Sequence, residues 1–135
     1  MPRFAALLLG FALACGQLAN EPQVPSGIGF AVTPASLSVR DTLHLTLTNN
    51  STVSLGYNLC FITVERQVGR NWVTVPWSSL RICAAVIRGL LPGQVATEVL
   101  TLDTSFPPAR YRVRTSVEWP IGHQVPLPSN AFELT

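Results

Sequence analysis

The chain contains no lysine; all nine of its basic residues are arginine. Charged residues fill only 12% of its 135 positions, about half the usual share. The formal net charge is +2, and Arg3 supplies one unit of it close to the N-terminus. That balance excludes the strong basic field with which nucleic-acid binders hold phosphate backbones. There are two histidines, His44 and His123, and neither falls in an HExxH or HxxxH pattern. GxSxG, CxxC and glycine-rich phosphate loops are also missing. The expectation is a protein that is not an enzyme and holds no cofactor and no metal. The length excludes two domains of ordinary size.

Long apolar runs are scarce too. One stands out, Phe4 to Ala14, and it is too short for a permanent membrane span. Arg3 precedes it, so residues 1–14 read as a charged n-region followed by the apolar core of a signal peptide. Two cleavage routes are open. Ala12-Leu13-Ala14 fits ordinary signal peptidase and would yield a secreted or periplasmic protein. Ala12-Leu13-Ala14-Cys15-Gly16 resembles a bacterial lipobox, with Ala12 where the strongest form has leucine. That resemblance implies lipidation of Cys15 and a membrane partner, with the chain held on the extracytoplasmic side of the cell envelope. Two or three acyl chains anchor stably where one is marginal. Lipidation of Cys15 would leave an even pair, Cys60 and Cys83, for a disulfide in an exported protein. Two buried free thiols are the bland alternative. Residues 15–27 then form the lipidated cysteine and a flexible tether, with two prolines and no apolar periodicity.

From residue 28 to 135 the sequence alternates. Thr42 to Thr48 places Leu43, Leu45 and Leu47 on one face and His44 on the other. Asn49-Asn50-Ser51 is a turn cluster; both asparagines begin N-x-S/T sequons, for which a turn role suffices. Tyr57 to Glu65 is apolar on both faces and reads as a central strand, or as one whose outer face is covered. A hairpin follows at Gln67 to Arg70, with Asn71 to Val75 returning antiparallel. Ile82 to Ile87 is a short strand candidate. Leu91-Pro92-Gly93-Gln94 is a turn, and Val95 to Leu102 is a strand whose phase invites a bulge. Arg110 to Trp119 alternates strictly. Pro120 to Pro128 reads as a proline-rich loop, and Asn130 to Leu134 as a closing strand. This pattern predicts an all-β antiparallel sandwich of about seven to eight strands.

Several of these segments resemble bacterial immunoglobulin-like (Big-type) domains of cell-envelope proteins. They are LHLTLTNNS (Leu43 to Ser51), VERQVGRNWVTVP (Val64 to Pro76), LLPGQ (Leu90 to Gln94), ARYRVRTSVEW (Ala109 to Trp119) and SNAFEL (Ser129 to Leu134). The resemblance implies a non-catalytic domain that spaces, displays or binds. The asparagine-rich turn, tryptophan-bearing hairpin and Pro-Gly turn are also similar to bacterial proteinase inhibitors of β-sandwich form. In that reading Pro76 to Arg81 or Pro120 to Pro128 would present a rigid loop.

Two groups of residues are candidates for contact with a partner protein or an envelope polymer. Arg110, Arg112 and Arg114 lie on one strand face, about 7 Å apart, and suit phosphates or carboxylates of an anionic polymer. Solvation with cross-strand partners such as Glu98 or Glu65 is the plainer account. Phe61, Trp72 and Trp77 cluster around the hairpin, where they either project outward as an apolar patch or pack beneath the sheet.

Overall fold

The computed structural model describes residues 23–76 and 82–135. Cys15, Trp77 and most of the Pro76 to Arg81 loop lie outside the described residues. The chain is an all-β sandwich with eleven strand segments among the described residues. These are β1 (Ile28–Thr33), β2 (Ser36–Leu37), β3 (Thr42–Asn49), β4 (Leu55–Tyr57), β5 (Thr63–Val68), β6 (Asn71–Thr74), β7 (Arg88–Leu90), β8 (Val95–Thr101), β9 (Ala109–Glu118), β10 (Gln124–Pro128) and β11 (Phe132–Leu134). One sheet has the order β1-β3-β8, and the other is built around β9. In the larger sheet β10 and β11 pair with one end-to-end edge of β9, and β4 and β5 with the other. β6 extends from β5 and β7 from β4. β1 crosses to the larger sheet as β2, which pairs parallel with β11. Within the larger sheet β5, β7 and β11 each continue an earlier strand across a break, which reduces eleven segments to eight courses, inside the expected seven to eight.

Alternation decides the faces. Leu43, Leu45 and Leu47 of β3 are fully buried, against Val64, Tyr111, Val113 and Val117 from the other sheet. Each such aliphatic side chain contributes about 1.5–3 kcal/mol by leaving water. His44 is exposed on the opposite face, as the pattern requires. β8 pairs with β3 in one unbroken register, Thr42↔Thr101 to Thr48↔Val95, so the strand carries no bulge. Its adjacent apolar pair is resolved by exposure: Leu100 is buried and Val99 lies outside. The last residues of the expected tether are docked, since Val24 packs against the core.

Two polar residues hold the sandwich. Asn49 is no exposed turn residue; it ends β3 fully buried. Its side-chain amide donates to the Val53 and Leu90 carbonyls, and its oxygen accepts from the Ser51 N–H and hydroxyl. All its polar capacity is used, which is the condition for burial. Tyr111, also buried, donates its hydroxyl to the Pro107 carbonyl at 2.6 Å, the tyrosine-corner arrangement of immunoglobulin-like sandwiches. Its ring stacks on Phe132 and meets Phe106 edge-on.

Two segments differ from their sequence reading. Gln124–Pro128, expected in a loop, is β10. Its prolines are tolerated because β10 pairs only with β9, so its outer edge needs no N–H donors. Tyr57 to Glu65 is not one strand. It pairs with β9 at both ends and leaves the sheet between them.

Candidate functional site

The break in that strand builds the site. Tyr57 pairs with Val117 and Thr63 with Arg114. Residues 58–62 therefore stand opposite Thr115 and Ser116 alone, and the surplus length arches away. Asn58 shapes the arch. Its side-chain oxygen accepts the Cys60 N–H at 3.0 Å, and its carbonyl accepts the Phe61 N–H. Its amide donates to the carbonyls of Ala84 and Val86 at 2.8 and 3.0 Å. The Cys60–Cys83 disulfide ties the same two segments together, with a Cα–Cα distance of 5.6 Å.

Ile82 to Ile87, read from sequence as a strand, is consequently not one. It is an irregular apolar segment leading into β7, held by the disulfide and by Asn58. Ile82, Val86 and Ile87 are all exposed, Ile82 almost completely. Gly56 allows the segment to approach, because a methyl group there would lie 2.6 Å from the Ile87 side chain.

Between arch and sheet lies a groove of about 680 Å³, within the range of small-ligand sites. Phe61, Ile62 and Ile87 give it apolar walls, while Arg114, Ser116 and Gln124 bring polar groups from β9 and β10. Thr115 donates its hydroxyl to the Phe61 carbonyl at 3.4 Å, on the floor side of the arch.

The arginine row stands on the same outer face. Arg112 bonds the Glu65 carboxylate through Nε, and Arg114 approaches the other Glu65 oxygen at 3.4 Å. Glu65 is buried to 4% exposure beneath them, so two guanidiniums share one carboxylate. Arg110 faces Glu133 at 3.7 Å, both side chains more than half exposed. Glu65 is thus a cross-strand partner as expected, whereas Glu98 belongs to the other sheet. Trp72 lies on this outer face as well, with the Arg112 guanidinium 4.6 Å above its ring, a cation–π contact.

The fold therefore brings together Arg110, Arg112, Arg114, Phe61 and Trp72. Sequence reasoning missed Asn58 as an organiser of the site. Asn58 had a signal, a polar turn-former inside an apolar run two residues before a cysteine. Among the described residues no group of His, Cys, Asp and Glu is placed to hold a metal ion.

No family model matches the chain, and no curated protein sequence matches it. Among solved structures it is similar to the neutral ceramidase from Pseudomonas aeruginosa, at 15% identity and a TM-score of 0.46, over 80% of this chain and 19% of that one. It is also similar to a ceramidase complexed with C2, at 14% identity and a TM-score of 0.48, over 96% of this chain and 23% of that one. The chain spans about a fifth of the length of these proteins, and likeness at this level implies no shared activity.

Proposed function

We propose that the chain is a non-catalytic cell-envelope lipoprotein, anchored through Cys15, whose immunoglobulin-like sandwich binds another protein through the outer face of its larger sheet. The observation that carries the reading is the exposed apolar surface of Phe61 and Ile87 lining the groove, on two segments tied together by a disulfide. Apolar surface held rigid in this way binds at low entropic cost. The disulfide itself favours an oxidising compartment. A binder of anionic polymer is the weaker reading, because Glu65 and Glu133 already engage the arginine row.

The test has two parts. Intact mass of the full chain from a bacterial envelope should give a species that starts at Cys15 and carries acyl chains. Cys15→Ala should leave the membrane fraction. A photo-crosslinking residue placed at Phe61 should then capture an envelope protein that the same residue at Val99, exposed on the smaller sheet, does not. Equal capture at both positions, or none, would sink the binding role.

A further inference from the structure

Arg114 is the one ionised side chain lining the groove among the described residues. Its nearest counter-charge, Glu65, is shared with Arg112, which makes the closer contact. Two guanidiniums against one carboxylate leave one net positive charge on this trio, and Arg114 brings it to the edge of the apolar concavity. The complementary ligand is an anion with an apolar body.

The backbone at the floor narrows the class. No backbone hydrogen bond runs from residues 58–62 to Thr115 or Ser116. In an antiparallel sheet, successive residues direct their N–H and C=O groups to opposite edges. β10 occupies one edge of β9 along this stretch. One of the two residues therefore turns its N–H and C=O toward the arch side, where no strand meets them. An extended polypeptide can use such groups, as in strand addition to a sheet; a lipid tail has no backbone with which to do so.

The gap is also closed at both ends. The ladder resumes at Tyr57↔Val117 on one side and at Thr63↔Arg114 on the other. Two residues of strand span about 7 Å, so a strand cannot run through; it can only end there. A chain end that must be negative is a carboxyl terminus. We infer that the groove binds the free carboxyl end of an extended apolar polypeptide, with Arg114 receiving the carboxylate and Phe61 and Ile87 flanking the last side chains.

This inference rests on the protein-binding reading above, and its test separates the two. The probe is a pool of fluorescein-labelled hexapeptides whose last two residues are valine, leucine, isoleucine or phenylalanine. Binding to the full chain is followed by anisotropy. The free-carboxyl pool should bind saturably. The C-terminally amidated pool should bind at least about ten-fold more weakly, as expected when a charge-assisted bond is lost. Arg114→Gln should weaken binding of the free-carboxyl pool to a similar degree, while Arg110→Gln, outside the groove, should not. Ser116→Trp fills the floor without removing charge and should abolish binding. It is the second variant should Arg114→Gln fail to fold, folding being judged by near-ultraviolet circular dichroism. Equal binding of acid and amide, or no binding up to about 1 mM, would overturn the proposal. Displacement of the peptide by equimolar decanoate would assign the groove to lipid tails and overturn it too. If peptides fail while crosslinking at Phe61 still captures a partner, the protein-binding role stands and this inference alone falls.

Discussion

The two sheets start from the same alternation of apolar and polar residues and end in different states. In the three-stranded sheet β3 pairs with β1 and β8 in unbroken registers over six and seven residues. Its outer face is mostly threonine, valine and alanine, with His44 the one titratable side chain among them. Glu98 points inward from the β8 edge, at a half-buried position opposite Leu45, a device that discourages edge-to-edge pairing. The larger sheet carries breaks in three of its courses, the disulfide, the arginine row and the groove. Regular pairing satisfies the backbone of the central β3 on both sides and leaves an even outer face with no concavity. Where pairing fails at 58–62, backbone and apolar surface become available, and a covalent bridge supplies the rigidity that the ladder has lost. Scaffold and binding surface are thus divided between the two sheets.

The largest effect belongs to the regular sheet. Leu45→Ala removes a fully buried side chain at its centre and should cost about 2–5 kcal/mol in urea unfolding. A loss below about 1 kcal/mol would mean that the sandwich core collapses around the cavity, and the division of labour would weaken.

The second effect is confined to the broken sheet. Replacing Cys60 and Cys83 together by serine opens a loop with a sequence separation of 23 and should cost about 3 kcal/mol. Hydrogen exchange should rise in residues 58–62 and 82–87 while β3 keeps its protection. Uniform loss of protection across both sheets would show that the bridge supports the whole fold and not the arch.

Third, the arginines should be unequal. Arg112→Ala leaves the buried Glu65 with Arg114 alone and uncovers Trp72, for an expected loss of about 2 kcal/mol. Arg110 and Glu133 are both more than half exposed, and Arg110→Ala should change stability by no more than about 0.5 kcal/mol. Equal losses would remove the distinction between a structural and a solvated arginine.

The smallest effect concerns the seam between the sheets. Burial pushes the Tyr111 phenol above its ordinary value of 10.0, with the Arg66 charge pulling weakly the other way. A value raised in the folded state contributes stability that is fully present below pH 10 and is lost as pH climbs through the raised value. Tyr111→Phe should cost about 1 kcal/mol near neutrality through the bond to Pro107. Its melting temperature should also fall less steeply than that of the unaltered chain above pH 10. Parallel declines would place the alkaline sensitivity elsewhere.

Periodicity of two is a local property, and it determined much of this protein. Leu43, Leu45 and Leu47 faced inward, Arg110, Arg112 and Arg114 shared an outer face, and the all-β sandwich followed from the number and spacing of such runs. The even cysteine pair was legible as well. What a strand pattern cannot express is which residue of a distant strand stands opposite. Glu65 meets Arg112 across 47 positions of sequence, and Asn58 reaches Ala84 across 26. The arch exists because β4 and β5 meet β9 in registers that differ, leaving five residues opposite two. Register is set by the packing of both faces at once, so the groove, its single guanidinium and the burial of Asn49 were decided only when the sheets closed on each other.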